Sequence, residues 1–236
     1  FYKLKSIESL NVSKFNTSNV EFMYYMFEEC ESVTSLDVSN FDTEKIKSLD
    51  NVFRRCSSLK YLNITNFNTS SVTSMNYLFS ECNSLIDLDL SNIDTSSTTS
   101  IYHMFSECSS LKKIYLDSFN TSLITSMEYL FYKCSSLESL DLSDFDTSLV
   151  TNMGHMFFNC SLLSKLDLSS FETPLVKNME YMFSNCYILE SLNISNFNTT
   201  LVEDYSHMFD GCTNLLSIDL AGFVIDQAKD MQYMFY

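Results

Sequence analysis

Glycine, proline and tryptophan are almost missing from this chain of 236 residues, which has three, one and none respectively. With 45% apolar residues as well, this composition argues against flexible linkers and extended disorder. Basic residues are also scarce, since 14 Lys and Arg stand against 30 Asp and Glu for a formal net charge of -16. A charge of this sign repels phosphate backbones and anionic lipid surfaces, so we expect no nucleic-acid partner.

Targeting and anchoring segments are absent too. The chain has no secretory leader and no run of about 20 apolar residues. We therefore expect no direct membrane insertion in this segment, and any signal of that kind would lie outside it.

A strict period of 26 residues dominates what is present. The eight cysteines follow it without an insertion or deletion, at Cys30, Cys56, Cys82, Cys108, Cys134, Cys160, Cys186 and Cys212. Such a period predicts stacked supersecondary units in a single domain over 1–236, with about nine repeats starting near 4, 30, 56, 82, 108, 134, 160, 186 and 212. Both ends fall in the same part of the repeat without a polar cap, so we expect an uncapped fragment of a longer protein.

Within one repeat the hydrophobic spacing changes. Leu140 and Leu142 alternate with polar residues, which indicates a short strand with one buried face. Apolar residues then follow at steps of three and four, which predicts a helix of about three turns: Val150, Met153, Met156, Phe157 and Cys160. The threonine between the two halves suits a helix N-cap, and Pro174, directly after Thr173, suits the first helical position.

Strand-helix repeats stacked in parallel predict an α/β fold, a leucine-rich-repeat-like solenoid with one parallel sheet. Adjacent strands lie about 4.7–4.9 Å apart, whereas packed helices need roughly 8–10 Å. We therefore expect a curved array with the sheet on the concave side.

The cysteine and histidine columns raise the question of metal or disulfide chemistry. We favour buried free thiols, because Leu4 fills the cysteine slot in the first repeat and no C-x-x-C pair occurs. Neighbour disulfides and a metal site are the alternatives. The histidines, His103, His155 and His207, share a slot with tyrosines and recur every second repeat, about 16–20 Å apart on a helical side. We interpret the slot as a half-exposed polar aromatic position, and we predict no cofactor and no metal site.

The outward-facing strand positions form the candidate binding surface. They combine carboxylates, amides and hydroxyls with tyrosine and lysine near the centre: Asp37, Tyr61, Asn63, Asp87, Asp89, Lys113, Tyr115, Asp141, Lys165, Asp167, Asn193 and Asp219. Asp141 and Asp167 should lie about 5 Å apart, so a bridging calcium ion is one alternative. The others are a solvated face and a face that binds a partner protein.

The stretch L-x-S-L-D-L-S-D-F-D-T in the sixth repeat and its equivalents resemble leucine-rich repeats. Together with the following V-x-x-M-x-x-M-F-x-x-C, the repeat is similar to BspA-type surface repeats, in particular the 26-residue version in the mycoplasma-type domain of unknown function. The resemblance covers essentially the whole chain. A phenylalanine stands where leucine-rich repeats carry a buried asparagine, so we expect a phenylalanine spine in its place: Phe41, Phe67, Phe119, Phe145, Phe171, Phe197 and Phe223.

The resemblance implies extracellular or cell-surface display, adhesion to host or matrix proteins, and binding through repeat faces. The sequence itself contains no nucleophile elbow, zinc-protease motif or P-loop, and a gapless array has no long loop with which to build a cleft. We therefore predict a non-enzymatic module that binds a protein partner through an extended face. The alternative is a structural spacer or building block, in which identical copies are the partners.

Overall fold

The computed structural model describes all residues from 1 to 236. It contains short strands and no helix, and so no helix that could cross a membrane. The strands are β1 (Ser35–Asp37), β2 (Tyr61–Asn63), β3 (Asp87–Asp89), β4 (Lys113–Tyr115), β5 (Lys165–Asp167) and β6 (Ser191–Asn193). They pair in parallel as β1 with β2, β3 with β4 and β5 with β6.

Residues one period apart lie side by side. Leu36 pairs with Leu62 in the first sheet, and Leu88 pairs with Ile114 in the second. A second line of parallel pairing runs through another part of the repeat, for example between Asn152 and Asn178. The period of the sequence is therefore the stacking period of the structure.

The predicted helix is wrong: this part of the repeat is a series of turns. Alternate amides donate to the next repeat, as in His155 N to Glu180 O at 2.8 Å and Phe157 N to Met182 O at 2.9 Å. The intervening Met156 N donates to Met153 O at 3.3 Å, which closes a four-residue turn rather than a helical i to i−4 bond. Successive turns bury residues at steps of three and four, as a helix does, so the hydrophobic spacing could not distinguish the turns from a helix.

Two residues per repeat adopt a left-handed backbone conformation that an α-helix does not allow. In the sixth repeat these are His155, with φ 55°, and Asn159, with φ 57°. His155 is the third residue of the turn that begins at Met153, the position at which a type II turn requires positive φ. Most residues in these slots are not glycine, so the hydrogen bonds to the next repeat must offset the strain.

The single concave sheet is also wrong, because the strands form three separate two-stranded sheets. The equivalent residues 139–141 of the sixth repeat are not part of a strand. Both sides of the repeat are joined to the next repeat by backbone hydrogen bonds. The difference between strand and helix spacing, from which we predicted curvature, is therefore absent.

The threonine that we predicted as a helix N-cap instead connects neighbouring repeats. Thr173 Oγ1 donates to Asn198 O at 2.9 Å and accepts a hydrogen bond from Asn198 N at 2.8 Å. Pro174 lies at the second position of a turn in which Val176 N donates to Thr173 O at 3.3 Å, a position that favours proline. The same threonine is buried in every repeat where it occurs: Thr17, Thr43, Thr69, Thr95, Thr121, Thr147, Thr173 and Thr199.

Phenylalanine rings and thiols fill the core. Rings 26 residues apart stack from Phe1 to Phe235, with centroids 5.3 to 5.9 Å apart. The predicted phenylalanine spine is present beside them, with Phe119, Phe145 and Phe171 stacked 6.3 and 6.4 Å apart.

The prediction of free thiols is confirmed, and seven of the eight are buried. Cys108 Sγ donates to Phe79 O of the preceding repeat at 3.0 Å. Burial raises the pKa of the Cys108 thiol to about 12, so the thiol is neutral and unreactive.

The threonine contact gives a direct test of the stacking. Replacing Thr173 by valine removes both hydrogen bonds, so the N–H and C=O of Asn198 lose their partner at the buried Thr173 side chain. We expect T173V to lower the free energy of unfolding by about 1–3 kcal/mol, measured by urea denaturation. The control is T125V, because Thr125 is exposed and its hydroxyl makes no hydrogen bond, and it should change stability by less than about 0.5 kcal/mol. Equal losses in the two variants would contradict this role of Thr173.

Candidate protein-binding surface

The twelve residues predicted from the sequence all lie on one side of the strand segments, and we call this surface the strand face. Eleven of them are exposed, and Asn63 is half-buried. In each strand the central residue points inward and its two neighbours point outward, as for Leu88 between Asp87 and Asp89. The alternation that sequence analysis recognised is therefore the reason that these side chains are accessible.

Parallel register places unlike side chains next to each other on the strand face. In the second sheet Asp87 lies beside Lys113, and Asp89 lies beside Tyr115. The other two sheets repeat this arrangement with different residues, pairing Tyr61 with Ser35, Asp37 with Asn63, Lys165 with Ser191 and Asp167 with Asn193. Asp141 and Asp219 are exposed on the same face but outside any strand.

The aspartates of the strand face are fixed by short local hydrogen bonds. Asp89 Oδ1 accepts from Ser91 N at 3.0 Å and from Ser91 Oγ at 2.6 Å, and Asp141 Oδ1 accepts from Ser143 N at 3.0 Å. These hydrogen bonds lower the pKa of both Asp89 and Asp141, so the carboxylates are ionised at neutral pH. No three His, Cys, Asp or Glu side chains are grouped so that they could hold a metal ion.

Shallow grooves cross the central part of the strand face, and two of them lie beside its tyrosines. The first, of about 250 Å³, lies beside Tyr115 and is lined among others by Lys113, Asp117, Asp141 and Asp144. We call it the Tyr115 groove. The second, of about 290 Å³, lies between the tyrosine rings of repeats two apart, Tyr61 and Tyr115. Both rings are exposed, by 56% and 46%.

The charges of the strand face are not neutralised within the chain. Twelve ion pairs occur in the protein, and none involves an aspartate or lysine of this face. Several of them instead form a cluster near the N-terminal repeats, where Arg54 lies 3.5 Å from both Glu28 and Glu81. The strand face thus exposes carboxylates that make no ion pair within the chain.

A ladder of aromatic rings that was not predicted from the sequence lies on another side of the repeat. Tyrosine and histidine alternate there with centroids 4.2 to 4.9 Å apart, in the order Tyr77, His103, Tyr129, His155, Tyr181, His207 and Tyr233. The predicted separation of the histidines is wrong, because it assumed packed helices. The sequence signal for this ladder was the repeat position that tyrosine and histidine share. It indicates stacked rings only when adjacent repeats are known to lie about one strand spacing apart.

A row of exposed leucines, which we call the leucine stripe, was not predicted from the sequence either. It consists of one leucine in each of four consecutive repeats: Leu123, Leu149, Leu175 and Leu201, each 39 to 44% exposed. Earlier repeats carry Asn19, Lys45, Ser71 and Ser97 in this slot. That change from polar to apolar residues was visible in the sequence.

Comparisons with known proteins agree on the repetitive character of the chain. The sequence profile described as "Mycoplasma protein of unknown function, DUF285" matches residues 1–61, 47–142, 99–191 and 125–236. These overlapping matches span the whole chain. The chain is therefore a repeat protein, and it belongs to this family of mycoplasma-type repeats, as its motifs predicted.

Two solved structures show similarity at low identity. A leucine-rich repeat protein from Bacteroides ovatus is 17% identical with a TM-score of 0.34, and the match covers 83% of this chain and 63% of that one. A leucine-rich repeat protein from Eubacterium ventriosum is 14% identical with a TM-score of 0.36, and the match covers 86% of this chain and 75% of that one. The chain thus spans less than two thirds of the Bacteroides protein. It matches no curated protein.

The aromatic ladder predicts a pH dependence of stability. Burial lowers the pKa of His103 to about 4 from 6.5, so the unfolded chain binds a proton between these values that the folded chain does not. This histidine should therefore make the protein less stable as the pH falls from 6.5 to 4. H103Y, which introduces the tyrosine found in neighbouring repeats, should show a smaller fall in melting temperature over this range. An NMR titration midpoint near 6.5 for His103 would contradict the prediction.

Proposed function

We propose that the protein is a non-enzymatic binding and adhesion module of a cell surface, which engages a protein partner through the strand face. The observation that carries the proposal is the exposure of unlike, unpaired side chains in register along this face. Aspartates, lysines and two tyrosines are held on short strands whose inner residues are buried. Tyrosine is typical of binding hot spots, and a fixed backbone reduces the entropy lost on binding.

Two further considerations support this function over catalysis. The groups on the strand face are spread along the stacking direction rather than converging on one reacting centre, whereas catalysis requires a nucleophile, a base and stabilising donors in one cleft. The resemblance to BspA-type surface repeats points to display outside the cell. We therefore propose a protein partner and an adhesive role together.

A structural role, in which identical copies associate side by side, is the second candidate. The leucine stripe favours it, because exposed apolar side chains in adjacent repeats form a continuous patch that a neighbouring copy would cover. The stripe lies on a different part of the repeat from the strand face. The two roles therefore predict different sensitive residues.

Binding to a panel of immobilised matrix and plasma proteins, namely fibronectin, fibrinogen, laminin and collagen, tests the binding function by biolayer interferometry. We expect the native chain to bind at least one of them and Y61A/Y115A to weaken that binding at least about tenfold, because two exposed rings are removed from the contact. The matched control is L149S/L175S on the leucine stripe, which should leave the affinity unchanged.

Sedimentation of the same variants tests the structural role. The binding function predicts that the native chain stays monomeric and that only the tyrosine variant loses its partner. Concentration-dependent assembly that is abolished by L149S/L175S, with no binding to any panel protein, would overturn the binding function in favour of the structural one.

A further inference from the structure

The Tyr115 groove combines an exposed aromatic ring with an excess of carboxylates. Asp117, Asp141 and Asp144 line it, and Lys113 is the only cationic side chain among its lining residues. None of these four charged groups takes part in an ion pair within the chain. The hydrogen bonds from Ser143 keep Asp141 ionised, and the groove therefore carries a net negative charge beside a tyrosine ring.

The protein contains the same combination of groups elsewhere, with a cation in place. The guanidinium of Arg54 lies over the ring of Tyr77, with its carbon 4.8 Å from the ring centroid. It also lies 3.5 Å from carboxylate oxygens of Glu28 and Glu81. A tyrosine ring flanked by carboxylates thus holds an arginine within this fold. The Tyr115 groove has a ring and carboxylates but no such arginine from the chain itself.

We propose that the Tyr115 groove receives an arginine side chain from an extended basic segment of the partner protein. This inference rests on the proposed function, because it specifies the chemistry of the partner at the strand face. The guanidinium would stack on Tyr115 while its N–H groups donate to the carboxylates. Arginine fits better than lysine because its planar group stacks on rings and donates two parallel hydrogen bonds to one carboxylate.

The whole molecule favours such a partner. The net charge of -16 attracts basic segments at long range, and the groove then selects the side chain at short range. Tyr61 and Tyr115 are two repeats apart, about 9–10 Å along the stack, and two positions apart along the strand direction, about 7 Å, so their separation is about 12 Å. An extended peptide with arginine at every fourth residue places successive guanidinium groups on one face about 13 Å apart, so both grooves suit one segment.

Fluorescence anisotropy with labelled peptides tests the proposal. The probes are peptides of glycine and serine with arginine, lysine or citrulline at every fourth residue. We expect the arginine peptide to bind several-fold more tightly than the lysine peptide at physiological salt, and the neutral citrulline peptide to show no binding. Y115A and D141N should each weaken arginine binding about tenfold, Y115F should retain it, and K113M should strengthen it.

Matched controls lie outside the strand face. Tyr24 is a half-exposed tyrosine on the ladder side of the first repeat. Asp226 is an exposed aspartate in the last repeat, and it does not line the Tyr115 groove. Y24A and D226N should leave arginine binding unchanged, and circular dichroism of every variant checks that it folds. D226N carries the same change in net charge as D141N, so it separates local contact from overall attraction.

Equal affinity for arginine and lysine peptides, with D226N and D141N equally weakened, would overturn the proposal in favour of general charge attraction. The proposed function and the arginine inference can fail independently of each other. If a panel protein binds with sensitivity to Y61A/Y115A but the arginine peptide neither binds nor competes, the strand face is a binding surface and the arginine inference is wrong. If the peptide binds as expected and no panel protein does, the test contradicts the proposed adhesion alone.

Discussion

Hydrogen bonds between backbone groups of adjacent repeats are the interaction on which this structure depends. They join the repeats through the strands and through the turns, so each repeat is held along two sides. A short unit of this kind buries too few apolar side chains to fold alone, because the entropy of ordering 26 residues exceeds what its own contacts return. Stacking supplies both the missing hydrogen bonds and the second face of each phenylalanine ring.

The need for these hydrogen bonds also explains where sequence analysis succeeded and where it failed. The period, the inward leucines, the buried thiols and the phenylalanine spine follow from spacing and residue type, which are properties of the sequence. The backbone conformation between Met153 and Cys160 does not follow from spacing and residue type, because a helix and a series of turns bury the same residues. What decides between them is whether alternate amides donate along the chain or to the next repeat, and that is a tertiary property.

The left-handed residues illustrate the same point. Tyrosine, glutamate, arginine and lysine are not residues from which positive φ is expected, yet they adopt it in repeat after repeat. Local propensity therefore gives no warning of the turns, and Thr173 and Pro174 were consistent with a helix start as well as with a turn. By contrast, the strand face could be predicted residue by residue, because strand alternation is local and needs only the inner leucine to be recognised.

The repeats differ among themselves mainly where stacking does not constrain them. Inward-facing residues must pack against the equivalent residues of the two adjacent repeats. They are therefore Phe, Met, Leu and Cys with little change from repeat to repeat. Outward-facing residues contact solvent and vary more: one column of the strand face holds Asp, Asn and Tyr, and the neighbouring column holds Ser, Tyr, Asp and Lys. An array built of identical outward residues would present a uniform surface with no preferred binding position. Tyr115 interrupts a column that otherwise holds only Asp and Asn, so an aromatic ring distinguishes the middle of the face from its two ends.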